Sequence, residues 1–148
     1  MLWTPRLVRL VAVGAGVGVL GIAFAVRGLA DGALEQHSGT LLYGSLVYLA
    51  VLFCRTRGAP LVTAAIAIGF CWLVECAQLT GIPAELSARS LLARLVLGAQ
   101  FDPTDLAWYP VGVVPLVAVH WLLAARARHR GRATERPVEA ERPLATPR

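Results

Sequence analysis

Four long blocks of apolar residues dominate the sequence and constrain its fold more than any other feature. They cover residues 10–26, 38–54, 60–79 and 106–125. A helix needs about 20 mostly apolar residues to cross the roughly 30 Å hydrocarbon core of a bilayer. Soluble domains scatter their apolar residues with a helical or strand period, so blocks of this length indicate membrane spans. We therefore predict an all-α integral membrane bundle of four transmembrane helices within residues 1–125, called spans one to four.

Span one allows a second interpretation. Arg6 and Arg9 precede it, and it reaches an Ala-x-Ala pattern at residues 23–25, as a cleaved signal peptide would. The apolar run is longer than the usual apolar region of about 7–15 residues in a signal peptide. The length favours a span, although the sequence leaves the signal peptide open.

The distribution of basic residues predicts the orientation. All 14 basic residues are arginine. Two precede span one, two lie between spans two and three, and seven follow span four, so these 11 belong to the same side of the membrane. The other side has only Arg27, Arg89 and Arg94. Cytoplasmic loops carry an excess of Lys and Arg, so both termini are predicted to lie on the cytoplasmic side of the cell (plasma) membrane.

Residues 126–148 form a tail of Arg, Glu and Pro with few large apolar side chains. Such a segment cannot bury enough surface to fold alone, so we predict a disordered cytoplasmic tail. A basic segment directly after a span is more typical of contact with anionic lipid than of nucleic-acid binding. The expected partners are therefore membrane lipids, and no nucleic acid is expected.

The cysteines and histidines predict no metal site. Cys54, Cys71 and Cys76 all lie in or at the end of spans without metal-ligand spacing, and the three histidines belong to separate regions. We expect no disulfide framework and no cofactor.

Glu75 is a carboxylate inside the third apolar block, about one turn before its end. Gln78 follows three residues later on the same helical face. A charged side chain facing lipid would cost several kcal/mol, so Glu75 should face the bundle interior or a wet cavity, or be protonated. The sequence leaves open an interhelical hydrogen bond that holds the packing, a binding site and direct chemistry. If Glu75 makes such a hydrogen bond, we expect its partner to be Gln78 or an arginine.

The segment between spans three and four is too short and too charged to cross a bilayer. Leucines recur in it at helical spacing from Pro83 onward, interrupted by Arg89 and Arg94. We predict one short interfacial helix that ends at Gly98.

Asp102 and Asp105 lie just before span four. Carboxylates favour the positive end of a helix dipole, and Asp102 before Pro103 suits an N-cap. The same residues could serve a site, because many polar side chains meet at this membrane face. The candidate binding residues are Arg27, Glu75, Gln78, Arg89, Arg94, Asp102, Asp105 and Tyr109, joined in the first loop by Asp31, Glu35 and His37.

Tyr109 could belong to an aromatic belt or point its hydroxyl inward. Pro110 and Pro115 should kink span four and free backbone carbonyls. Gly14 and Gly18 in span one match the GxxxG pattern, and we expect close helix contact there within the bundle.

The ordered spacing of several motifs over about residues 7–125 resembles a family of small bacterial membrane proteins, domain-of-unknown-function family 2809, distantly similar to VanZ-like proteins. The matching positions are Arg27 and Gly28, "VECAQL" with Glu75 and Gln78, Arg89, "LVLG" ending at Gly98, Phe101, Asp105 and Leu106, Tyr109, and Gly112.

This resemblance implies a multi-pass fold with polar groups at the end of one span and the start of the next. VanZ-like proteins take their name from glycopeptide resistance, with no settled biochemical activity. Family members tend to carry Gly-Asp at the start of span two, where this sequence has Gly39 and Thr40. His37 or Glu35 could replace that missing carboxylate.

Three function classes follow. The preferred one is a binding protein whose exterior polar cluster holds a lipid head group or a lipid-linked envelope intermediate. In the second, the polar groups only hold the bundle of a structural or partner protein together. The third is an enzyme on a lipid-linked substrate, with Glu75 as general base, although no nucleophile–base pair supports it. A transporter of four spans would need a homo-oligomer to enclose a path.

Overall fold

The computed structural model describes residues 4–29 and 33–135, with the side chains of Arg27, 33–36 and 130–135 excepted. The described residues form six helices and no strand: α1 (Pro5–Leu29), α2 (Ala33–Cys54), α3 (Pro60–Gln78), α4 (Ile82–Arg89), α5 (Leu91–Leu97) and α6 (Asp105–Glu135). Four of them, α1, α2, α3 and α6, are long and apolar enough to cross a membrane. The all-α prediction with four spanning helices is confirmed.

The first and last helices extend beyond the predicted spans. α1 begins at Pro5, because proline suits the first helical turn and the Thr4 hydroxyl accepts a hydrogen bond from the Leu7 N–H at 3.3 Å. α6 continues ten residues past Ala125 to Glu135. Alanine and arginine are strong helix formers, which accounts for this continuation. The rest of the predicted disordered tail, residues 136–148, lies outside the described residues.

α2 is the centre of the bundle. It packs against α1, α3 and α6, whereas α1 contacts no described helix except α2. The buried core between these helices includes Tyr48 from α2, Ala64 and Ala67 from α3, and Val113 from α6. Small residues in α3 let the helix backbones approach closely, which is how membrane helices gain packing energy without a hydrophobic drive between them.

α2 and α6 run in the same direction and touch backbone to backbone. A Cβ atom added to Gly44 would lie 2.9 Å from the carbonyl oxygen of Tyr109, and one on Gly112 would overlap the carbonyl of Leu41. The Ser45 hydroxyl also donates to the Gly112 carbonyl at 2.8 Å. Glycine at both positions is therefore what permits this crossing.

The predicted interfacial helix is two helices. Ser90 adopts an extended conformation (φ −142°, ψ 123°) that ends α4, and its hydroxyl then caps α5 by accepting from the Ala93 N–H. A serine that bonds the backbone locally competes with helix continuation, which explains the break. Gly98, at φ 65°, ends α5 as predicted.

Gly14 and Gly18 do not make the expected contact within the bundle. Neither has any atom within 4 Å of an added Cβ position. Val8 and Ala12 are the buried residues of α1 instead. The glycines lie away from that contact face, so the prediction of GxxxG packing inside the bundle was wrong.

Candidate functional site

Glu75 lies in α3 and is fully buried, with 0% of its surface exposed. One carboxylate oxygen accepts a hydrogen bond from the Asp102 backbone N–H at 2.7 Å, and the other accepts from the Tyr109 hydroxyl at 2.9 Å. The prediction that Glu75 faces inward is confirmed. Its partners belong to the start of α6 and the loop before it, and they replace the predicted Gln78 or arginine.

Asp102 and Asp105 have different roles from one another. Asp102 lies three residues before α6, so it is not the predicted N-cap, and its carboxylate accepts from the Thr104 N–H at 2.9 Å in a local turn. Asp105 occupies the first turn of α6, where a carboxylate favours the helix dipole. It also accepts from the Thr40 hydroxyl of α2 at 2.8 Å.

Three side chains hold the last two carbonyls of α5 and the carbonyl of the glycine that follows it. Tyr43 donates to the Val96 carbonyl at 2.6 Å, Gln78 to the Leu97 carbonyl at 2.7 Å, and Ser87 to the Gly98 carbonyl at 2.5 Å. The end of a helix leaves carbonyls without intrahelical donors, and these bonds satisfy them. Because the donors come from α2, α3 and α4, the short helix is fixed to the bundle.

Trp72 compensates for a proline in α6. Pro110 has no N–H, so the Leu106 carbonyl four residues earlier lacks its usual helical donor. The indole N–H of Trp72 donates to that carbonyl at 2.9 Å. The expectation that Pro110 frees a carbonyl is thereby confirmed, and the freed group gives α3 a further bond to α6.

Arg89 ends α4 and Arg94 lies in α5, and both are exposed. Among the described residues, neither guanidinium lies within salt-bridge distance of a carboxylate. The side chain of Arg27 lies outside the described residues, as do Asp31 and the side chain of Glu35. The structure therefore brings together the side chains of Glu75, Asp102, Asp105, Gln78 and Tyr109. Arg89 and Arg94 lie beside them at the surface.

His37 lies three residues before Thr40, the position at which the family resemblance implies an aspartate. Its ring stacks on Trp108 with 5.0 Å between the ring centroids and an interplanar angle of 20°. Its Nδ1 and the Oε1 of Gln78 are buried and find no hydrogen-bond partner in the described part of the chain. At position 40 itself, threonine donates a hydrogen bond to Asp105.

This geometry limits what Glu75 can do chemically. Both of its oxygens are occupied and no part of it is exposed, so a substrate could reach the carboxylate only if the bonds to Asp102 and Tyr109 opened. The described residues contain no group of three or more His, Cys, Asp or Glu side chains that could hold a metal ion. The exposed charged side chains described at this end are Glu85 and Arg89 of α4 and Arg94 of α5.

The fold and these polar groups define a multi-pass helical membrane protein. Residues 29–113 match the family model described as Protein of unknown function (DUF2809), and the chain belongs to that family. The match runs from the end of α1 to Val113. It includes all the candidate binding residues except Arg27, which precedes it. Searches of curated proteins and of solved structures found no match.

Sequence reasoning missed several members of this cluster. Trp72 could have been found from Pro110, because a freed carbonyl inside a membrane needs a donor. Tyr43 and Ser87 carry no comparable signal, since their partners are backbone carbonyls whose position depends on the packing of α5.

Proposed function

We propose that the protein is a non-enzymatic plasma-membrane protein that binds an anionic head group at its α4–α5 end. The head group belongs to a membrane lipid or to a lipid-linked intermediate of the cell envelope. The observation that carries the proposal is the exposure of Arg89 and Arg94 without a carboxylate partner in the described part of the chain. Arginine binds phosphate through its planar fork of N–H donors, and an unpaired arginine keeps those donors available.

The surroundings of these arginines suit a membrane interface. Leu91 and Leu92 are 73% and 71% exposed on α5, and Leu95 is 65% exposed. Short helices that combine exposed leucines with arginine lie at the boundary between head groups and acyl chains. A ligand with a phosphate and a long apolar chain would satisfy both kinds of side chain at once.

Glu75 serves the proposed site indirectly. It joins α3 to the start of α6, while Tyr43, Gln78 and Ser87 fix the end of α5. A platform held in this way presents its cations in one arrangement, which lowers the ordering cost of binding.

The orientation is part of the proposal. Both termini are placed in the cytoplasm and the α4–α5 end outside, because the arginine-rich segments lie at the opposite end. A role in envelope or glycopeptide-related stress follows from the VanZ-like resemblance alone and stays a prediction.

Native mass spectrometry in a mild detergent tests the ligand. Phosphatidylglycerol and a polyprenyl diphosphate are added separately to wild type and to the double variant Arg89→Ala/Arg94→Ala. Arg55→Ala is the control, because this exposed arginine lies at the other end of the bundle. We expect the double variant to lose the adduct by about fivefold for each arginine, while the control retains it.

The probe that wild type retains better shows whether the ligand is a lipid head group or a lipid-linked envelope intermediate. Equal retention of both probes by the double variant and the wild type, at matched thermal stability, would overturn the proposal.

A structural role is the second candidate, and a specific observation favours it. Both Glu75 oxygens are occupied by bonds inside the bundle, as they would be if the network only held helices together. In that case Arg89→Ala/Arg94→Ala would retain each probe as well as wild type does, and replacing Glu75 would lower thermal stability alone.

A further inference from the structure

The opposite end of the bundle contains an apolar cleft between α1 and α6. α1 and α6 both pack on α2, but no α-carbons of these two helices lie within 8 Å of each other in the described structure. The cleft has a volume of about 500 Å³, and its lining includes Val11 of α1, Leu49 of α2 and Val119 of α6. Ligand pockets in proteins have volumes of about 300–1,000 Å³, so this cleft is large enough for part of a lipid molecule.

Two arginines line the same cleft. Arg57 comes from the loop between α2 and α3, and Arg128 from the last turns of α6. Both are exposed, and neither has a carboxylate within salt-bridge distance among the described residues. Every acidic side chain that the structure describes lies at the other end of the bundle, near α4 and α5. The cleft therefore combines an apolar interior with a positive charge that no described acidic side chain compensates.

Arg9 at this end is already engaged. Its Nε donates to the Phe53 carbonyl at 3.3 Å, and its guanidinium lies 5.5 Å from the centre of the Phe53 ring. Deeper in the cleft, the Tyr48 hydroxyl is bonded to His120 at 2.8 Å. Arg57 and Arg128 are the described arginines that line the cleft and are available to a ligand there.

We propose that this cleft binds an anionic diacyl phospholipid, with an acyl chain between α1 and α6 and the phosphate on Arg57 and Arg128. The apolar lining cannot select a lipid by itself, because the surrounding acyl chains are equally apolar. Selection comes from the two guanidinium groups, which favour a head group with net negative charge. The positive-inside rule predicts that this end faces the cytoplasm, where anionic lipids and basic juxtamembrane residues attract each other.

The test compares lipids with identical acyl chains and different charge. Native mass spectrometry of the full chain in mild detergent measures retention of phosphatidylglycerol and phosphatidylcholine. We expect the cleft of wild type to retain one phosphatidylglycerol in preference to phosphatidylcholine, separately from any lipid bound at the α4–α5 end. Arg57→Ala/Arg128→Ala should weaken retention by about fivefold for each arginine. The charge-matched control Arg6→Ala/Arg55→Ala changes exposed arginines outside the cleft and should retain the lipid.

A second pair of variants tests the acyl chain. Val119→Trp places a large ring in the cleft and should reduce retention, whereas Val114→Trp alters an exposed position of α6 outside it and should not. Equal retention by the two arginine double variants would overturn the proposal, because the charge would then act diffusely. Unchanged retention in a folded Val119→Trp variant, or a mass showing a second copy of the chain in place of lipid, would also overturn it.

The α4–α5 proposal fails independently of this one. Arg89→Ala/Arg94→Ala leaves the cleft intact, so this variant should lose only the lipid bound at the α4–α5 end and keep one phosphatidylglycerol in the cleft.

Discussion

The two ends of the bundle are held by different kinds of contact. At the α4–α5 end, side chains of α2 and α3 bond to α6, to the loop before it and to the end of α5. At the basic end, α1 and α6 stand apart with a cleft between them. Apolar contacts give little preference for a neighbouring helix over lipid, so hydrogen bonds and close backbone packing decide which elements stay together. The first end is suited to a fixed surface and the second to an exchangeable lipid.

Gly112→Ala should have the largest effect on stability. The added methyl group would overlap the Leu41 carbonyl, and backbone cannot move aside as a side chain can. We expect a loss of about 3 kcal/mol or more in the free energy of unfolding, the upper end for overpacking. Thermal unfolding in detergent measures it. Gly69→Ala is the control, because open space surrounds that helical position. Similar losses in the two variants would mean that the α2–α6 crossing is not tight.

Glu75→Ala should have the next largest effect. It leaves the Asp102 N–H and the Tyr109 hydroxyl without an acceptor, which we expect to cost about 2 kcal/mol. Glu75→Gln should cost less than about 1 kcal/mol, since the amide can accept from one group and donate to the tyrosine oxygen. Chemical unfolding monitored by circular dichroism compares them. If both cost the same, the negative charge matters more than the hydrogen bonds.

Trp72→Phe isolates the bond between α3 and α6. The ring remains but the indole N–H is lost, leaving the Leu106 carbonyl without a donor. We expect a cost of about 1 kcal/mol. In a Pro110→Ala background the restored helical N–H should satisfy that carbonyl, so Trp72→Phe should then cost much less. An unchanged cost in that background would show that the indole acts by packing alone.

Tyr48→Phe should have the smallest effect, because Tyr48 lies at the basic end of the bundle, where fewer hydrogen bonds join the helices. It removes the bond to His120, whose half-buried ring can find another partner. We expect a loss of about 0.5 kcal/mol, close to the average for a hydrogen bond inside a membrane. Thermal unfolding beside Trp72→Phe checks the order. A larger loss for Tyr48→Phe would remove the contrast between the two ends.

The sequence predicted the helices better than their contacts. A span is read from its apolar length, so the four spanning helices and the end of α5 at Gly98 were predictable. The inward position of Glu75 followed from the cost of exposing a carboxylate to lipid. The break at Ser90 was not predicted, because one serine at helical spacing looks the same whether it continues a helix or caps the next.

The pairing of side chains could not be predicted for a different reason. A helix that is apolar on all sides does not encode which face meets its neighbour. The sequence therefore placed Glu75, Asp102 and Tyr109 at one membrane face without showing that they bond. The same ambiguity led to the wrong placement of Gly14 and Gly18.

The central claim is that Glu75 joins α3 to α6 through Tyr109. A double-mutant cycle of Glu75→Ala and Tyr109→Phe, measured by reversible unfolding in detergent, tests it most directly. We expect a coupling free energy of about 0.6–1.7 kcal/mol, from the average to the largest value for hydrogen bonds between membrane helices. Additive effects within about 0.3 kcal/mol would contradict the claim, because the two residues would then act independently.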